Sequence, residues 1–171
     1  MAYSRPEPLR GNHRLEGFQC GEESLDTWLL RYSRHAEAAG SAFVTTEDGE
    51  RVAGFYALAG GEVRAADATA RLLKGQPAGR PIPVIVLARL AVDRSHQGHG
   101  VGRSLLQDAM LRSAAVAESI GVRAVVVHAM TEEARAWYLR FGFEVSPTDP
   151  LHLILLMKDL KRFLGEVEPP A

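Results

Sequence analysis

One cysteine in 171 residues, Cys20, excludes an intrachain disulfide framework and a zinc site built on clustered thiols. A reducing cytoplasm is the compartment this fits most simply. Long apolar runs are missing as well. The longest, such as Pro83–Ala88, fall far short of the roughly 20 residues a membrane-spanning helix needs. The N-terminal stretch lacks the basic, apolar and small-residue layout of a signal peptide. The expectation is a cytoplasmic protein with no membrane partner. Charge of one sign is also missing. A formal net charge of -1 removes whole-molecule steering toward nucleic acid, though a local basic face stays open. Lysine is scarce, with Lys74, Lys158 and Lys161 the only three among 20 basic residues. Arginine pairs well with phosphate, but GC-rich coding produces the same bias without any function.

What is present suits a globular enzyme. The hydrophobic fraction of 46% and charged fraction of 24% lie near globular averages and argue against disorder. The length fits one domain, residues 1–171, with an N-terminal arm over 1–14 and a C-terminal tail over 161–171. The Pro- and Gly-broken start predicts an arm and a first strand. Gly21–Ala39 carries Leu25, Trp28, Leu29, Tyr32 and Ala36 at helical spacing, with Gly40 as the stop. Ala42–Thr46 and Arg51–Ala59 flank Glu47-Asp48-Gly49-Glu50 as a hairpin. Glu62–Leu73 reads as a short helix and Lys74–Pro83 as a loop.

The second half is more regular. Val84–Val92 predicts a buried strand, Gly102–Ile120 an amphipathic helix and Ala124–Ala129 a Val-rich strand. Glu132–Phe141 predicts a helix and Leu151–Met157 a last strand. This alternation describes an α/β domain with at least one parallel crossover.

Between the buried strand and the amphipathic helix lies Gln97-Gly98-His99-Gly100-Val101-Gly102-Arg103. Glycines let backbone N–H groups approach a ligand, and a helix N-terminus adds positive potential, which together suit a phosphate or pyrophosphate. A glycine-rich turn with no ligand explains the glycines equally well. The dinucleotide fingerprint G-x-G-x-x-G fails because Arg103 stands where its third glycine belongs. The phosphate loop G-x-x-x-x-G-K-[ST] fails on its glycine spacing and its lysine.

The pattern Q-x-x-G-x-G that remains resembles the pyrophosphate loop of the Gcn5-related N-acetyltransferases. Arg89–Asp93, Thr131–Phe143 and the Pro147–Leu160 segment follow in that family's order. Phe18-Gln19-Cys20-Gly21, with Leu25 and Trp28-Leu29, resembles one subfamily, the toxins that acetylate the amino group of aminoacyl-tRNA. The likeness runs from about Leu15 to Leu160. It implies an α+β fold whose mixed, mostly antiparallel sheet is splayed in the middle and flanked by helices.

The resemblance also implies roles. Backbone amides of Gln97, Gly98, His99, Gly100, Val101, Gly102 and Arg103 would bind the pyrophosphate of acetyl-CoA. Leu90, Ala91 and Val92 would line its acyl and pantetheine groups, with one amide polarising the thioester carbonyl. Tyr138 would be the general acid on the departing thiolate. An antitoxin partner of ribbon-helix-helix type and a homodimer are further expectations of the resemblance.

Bland readings stand beside these. Tyr138 shares a helical face with Ala134 and Phe141, which suits packing as well as chemistry. His96 and His99 lack a third ligand at metal spacing, so no metal is expected. His128 reads as a satisfied buried histidine before a base. Glu132 and Glu133 read as helix-starting residues. Cys20 reads as a small apolar residue. Arg31 with Arg34, or Arg80 with Arg89, are candidates for a basic rim on the acceptor side.

The functional expectation is transfer of acetyl from acetyl-CoA to a primary amine, first the α-amine of aminoacyl-tRNA. The alternatives are the same chemistry on a small amine or a protein N-terminus, and an acyl-CoA-binding regulator without turnover.

Overall fold

The computed structural model describes residues 2–167. Its elements are β1 (Glu7–Pro8), α1 (Glu23–Arg31), α2 (Ser33–Ala39), β2 (Ala42–Thr46), β3 (Val52–Val63), α3 (Ala70–Leu73) and β4 (Ile82–Val92). There follow α4 (Val101–Ala117), β5 (Ala124–His128), α5 (Glu132–Leu139), β6 (Glu144–Val145), β7 (His152–Leu156) and α6 (Met157–Val167). The seven strands are mixed in direction and accompanied by six helices, the expected class.

The chain groups into two compact units. The first holds residues 1–58 and 88–109. Here β1 pairs antiparallel with β2 (Glu7↔Val44), and β2 pairs antiparallel with β3 from Ala42↔Ala57 to Thr46↔Val52. Alternate residues of these strands face a core of Leu9, Leu15, Phe18, Leu29, Val44 and Phe55, all nearly inaccessible to water. Trp28 and Leu25 of α1 pack onto it, burying the apolar stripe of that helix. Burial of this kind, about 1.5–3 kcal/mol per large side chain, is what holds the helix to the sheet.

The second unit holds residues 59–87 and 110–171. There β4 and β5 run parallel (Ile85↔Val125, Val86↔Val126), while β7 pairs antiparallel with both β5 and β6. Its core gathers Val63, Leu72, Ile82, Ala124, Ile154 and Leu156. The near-continuous burial of Ala124–Val127 and Leu153–Leu156 explains why β5 and β7 read as apolar runs rather than alternating ones.

Three expectations change. The single helix over Gly21–Ala39 is two, broken at Tyr32, where the Ser33 hydroxyl donates to the Leu29 carbonyl at 2.5 Å. Such back-bonding competes with the helical ladder and bends it. Gly40 ends α2 in the left-handed region at φ +70, as expected. The helix over Glu62–Leu73 is replaced by the end of β3, a 3₁₀ turn over Ala65–Asp67 and the single-turn α3, capped by the Thr69 side chain. The C-terminal tail over 161–171 begins inside α6, which continues to Val167; residues 168–171 lie outside the described residues.

Candidate active site

In the first unit, β4 leads into a loop that is tied down on every side but one. Asp93 donates its amide to the Ala53 carbonyl at 2.8 Å. Its carboxylate accepts from the Gln19 amide at 2.8 Å and the Ser95 amide at 3.1 Å. Burial works against ionisation of Asp93, but the Ser95 hydroxyl and these amides outweigh it and hold the carboxyl below its ordinary value. The Gln97 side chain donates at 3.0 Å to the carbonyls of both Cys20 and Val92, latching the loop to the end of β4. The Gln97 amide itself donates to the Arg94 carbonyl at 3.4 Å, so its contribution is made through the side chain.

Beyond that latch the backbone opens. Gly98 and Gly100 sit at φ +81 and +80, a left-handed conformation that other residues adopt only with strain. A methyl group placed at either would meet nothing within 4 Å, so the glycines serve backbone direction and leave clear space. Val101 and Leu105 are buried and anchor the start of α4, while Gly102 is half-buried and His99 and Arg103 are exposed. The first turn of a helix presents N–H groups without helical partners at its positive pole, an arrangement suited to an anion. Gly54 completes the support: a methyl there would come within 3.1 Å of the Ala91 carbonyl and Val101, and closer still to Leu105. Nothing in the sequence pattern singles out that residue.

Ala91 is buried in the core of this unit; Leu90 and Val92 are half-buried. Arg89 lays its guanidinium 4.6 Å from the Trp28 ring centroid, and Trp28 stacks on Phe55 at 5.6 Å. Burial lowers the Arg89 pKa. A cavity of about 990 Å³ opens here, lined by Thr27, Trp28, Tyr32, His35 and Arg89 among others. Tyr32 entered the sequence reading only as part of a helical face, and His35 did not enter it.

The rim expected from Arg31 and Arg34 does not form around Arg34. That guanidinium is engaged with the Arg10 carbonyl at 2.7 Å, Glu37 at 2.7 Å and the His13 carbonyl at 2.9 Å, pinning the N-terminal arm to α2. Arg80 is exposed in the loop before β4, in the second unit.

In the second unit, α5 carries Tyr138. The Thr131 hydroxyl caps the helix by accepting from the Ala134 amide at 3.1 Å, and Glu132 and Glu133 stand exposed in its first turn. Tyr138 is buried, with Trp137 and Phe143 edge-on at 5.0 and 5.4 Å. Burial pushes its pKa far above that of a free phenol, so the hydroxyl holds its proton throughout the physiological range. The neutral hydroxyl carries a proton it could donate, while the same shift makes it a weaker acid than a free phenol.

His128 differs from its expected buried state. It is exposed at the end of β5 and stacks on its cross-strand partner His152, with ring centroids 4.1 Å apart. Burial, and then the neighbouring His128, lower the pKa of His152. Cys20 is half-buried against the first core, as an apolar residue would be. Burial and then Asp26 push its thiol up to about 11, which leaves little thiolate for nucleophilic work. His96 is taken up by Tyr3, whose hydroxyl lies 3.0 Å from Nδ1. Among the described residues no group of three or more His, Cys, Asp or Glu side chains is placed to hold a metal ion. Nor is any described helix long and apolar enough to cross a membrane.

A glycine loop feeding a helix N-terminus and a buried tyrosine on a later helix are features many sequences could share. A family model decides between them: the acetyltransferase (GNAT) domain matches residues 38–145. The chain belongs to the GNAT acetyltransferase family. This acetyltransferase is 49% identical over 166 residues to the tRNA-acetylating toxin of Mycobacterium tuberculosis, covering 96% of this chain and 98% of that protein. Among solved structures it resembles the toxin AtaT complexed with acetyl-methionyl-tRNAfMet (TM-score 0.83, 26% identity, 94% of this chain and 98% of that one). It also resembles a Tyr-to-Phe variant of AtaT bound to acetyl-CoA and the C-terminus of the antitoxin AtaR (TM-score 0.78, 25% identity, 96% and 99% covered).

Proposed function

We propose that this chain transfers acetyl from acetyl-CoA to the α-amine of aminoacyl-tRNA and so acts as the toxin of a toxin–antitoxin pair. The observation that carries the reading is the latched loop opening onto the N-terminus of α4, in a chain that matches a tRNA-acetylating toxin along nearly its whole length. The amides of Gly98 to Arg103 hold the CoA pyrophosphate, with Gly98 and Gly100 supplying the left-handed turns that point them outward. Leu90, Ala91 and Val92 line the pantetheine and acyl groups, and an amide of that strand polarises the thioester carbonyl.

The reaction is a direct displacement. The acceptor nitrogen attacks the thioester carbon, the C–S bond breaks, and the thiolate takes the Tyr138 proton. The new amide then loses its extra proton to water, and a proton taken from water restores the Tyr138 phenol. Tyr138 stays protonated until sulfur develops charge, which is what burial secures. An amine attacks only when neutral. A lysine, pKa about 10.4, is mostly protonated at pH 7, whereas an α-amine near 7.7–8.0 is already partly neutral. A site with an acid and no evident base therefore favours the α-amine.

The same reading takes residues 1–171 as one catalytic domain and assigns the protein to the cytoplasm. It includes pairing of two copies and neutralisation by an antitoxin of ribbon-helix-helix type. The test is thiol release from acetyl-CoA with several acceptors. Charged tRNA should stimulate release well above deacylated tRNA, polyamines and peptide N-termini. Equal stimulation by polyamines would reassign the acceptor.

A further inference from the structure

The three lysines that the sequence scatters at positions 74, 158 and 161 line one cavity. It measures about 310 Å³ in the second unit, and Arg71 and Arg123 complete its cationic lining. A neighbouring cavity of about 550 Å³ shares Arg71 and adds Arg140 and Arg162. The two together set seven cations against two carboxylates, Glu144 and Asp159. Both carboxylates are already bound by Arg71, Asp159 at 2.8 and 3.0 Å. Lys74, Lys158, Lys161, Arg140 and Arg162 are exposed, and among the described residues the ion pairs of this tract are those of Arg71 with Glu144 and Asp159.

The position sharpens the electrostatics. Lys158 and Lys161 stand at the start of α6, where the helix pole is already positive and only Asp159 offsets it. On a chain of net charge -1, a tract this one-sided concentrates field that an anion would relieve. Two rings are set among the cations: Phe141 and Phe163 meet edge-on at 6.0 Å in the second cavity. Arg140 caps α5, two residues after Tyr138 along the chain.

We propose that these neighbouring cavities are the surface on which the phosphodiester backbone of the acceptor RNA is held. The proposal rests on the aminoacyl-tRNA reading above and moves its basic face. Arg31, Arg34, Arg80 and Arg89 were the sequence candidates, and the tract is built instead from the end of α3, Arg123 just before β5, Arg140 at the end of α5, and α6. Seven cations are more than a single phosphate engages, and the mixture of lysine, arginine and edge-on rings suits a charged chain that carries bases. Lysine and arginine here act through charge, so affinity should fall steeply with salt and depend little on base sequence.

The test uses the full chain and labelled deacylated tRNA, titrated by anisotropy over a range of salt concentrations. Lys74→Gln/Lys158→Gln/Lys161→Gln removes three exposed charges. Circular dichroism should show it folded. The expected result is at least about tenfold weaker binding at low salt and a log Kd against log salt slope smaller by about two to three. KM for charged tRNA should rise while kcat and the KM for acetyl-CoA hold. Arg140→Gln/Arg162→Gln provides an independent second variant with the same expected direction.

An unchanged slope in both variants overturns the proposal. So does loss of poly-glutamate binding with tRNA binding intact, which would make the tract a site for an acidic protein segment. Failure here and failure of the acceptor reading are separable. Wild type that binds deacylated tRNA through the tract yet leaves charged tRNA unacetylated keeps the surface and loses the acceptor. Wild type that acetylates charged tRNA, with variants of unaltered slope, does the reverse.

Discussion

On the proposed mechanism Tyr138 serves packing and chemistry together. Its spacing with Ala134 and Phe141 suits a core aromatic, and the ring is indeed buried against Trp137 and Phe143. That same burial raises the phenol pKa and keeps the proton in place. Tyr138→Phe deletes only the oxygen and keeps the ring contacts. Turnover should fall by roughly 10²–10⁴-fold, the usual contribution of a general acid. Acetyl-CoA affinity and melting temperature should hold nearly constant. Stopped acetyl transfer assays beside calorimetry separate the two roles, and full activity in the variant would leave Tyr138 as packing alone. Arginine roles were less legible at this scale. Arg34 and Arg89 look alike in the chain, yet one pins the N-terminal arm through two carbonyls and the other lies over Trp28. The difference lies in which distant segment each meets, and residue type carries no trace of that.

At the scale of elements, the stretches with clean periodicity were read well. β4, α4, β5 and α5 fall within two or three residues of their expected bounds. The failures have local causes. Gly60-Gly61 looks like the end of a strand, but β3 continues because Gly61 admits Val86: a methyl there would lie 2.7 Å from its Cγ2. α6 starts at the residue after β7, without a loop or capping residue to announce it. The break at Tyr32 leaves the apolar period intact and was invisible for that reason. The glycine loop was legible as a strand-to-helix turn because its glycines are contiguous in the chain, whereas the Gln97 latch that shapes it reaches back to Cys20, far away in sequence. Gln97→Ala removes both bonds of that latch. Since they are exposed, stability should drop by only about 1 kcal/mol, while acetyl-CoA affinity should weaken several-fold as the loop loses its register. Urea unfolding and calorimetry measure the two, and unaltered affinity would reduce the latch to a surface ornament of the fold.

For the whole molecule, a net charge of -1 conceals strong segregation. Seven cations gather around two adjoining cavities of the second unit, while the glycine loop of the first opens onto the N-terminus of α4. Composition averages this away, so the basic tract proposed for the acceptor could not be read before the fold placed Lys74, Arg123 and Lys158 together. The proposed cofactor side is built from residues contiguous in the chain, so it was open to a sequence reading. The account joins a backbone anion site, a proton held on Tyr138 and an acceptor already neutral enough to attack. Its most direct test is the product. A charged tRNA pool is incubated with the protein and acetyl-CoA, the aminoacyl ester is hydrolysed, and the released amino acids are analysed by mass spectrometry. The account predicts amino acids carrying one acetyl group on the α-nitrogen, formed with wild type and nearly absent with Tyr138→Phe. Charged tRNA recovered without acetyl groups at low salt, while polyamines or peptide N-termini are acetylated in parallel, would contradict it.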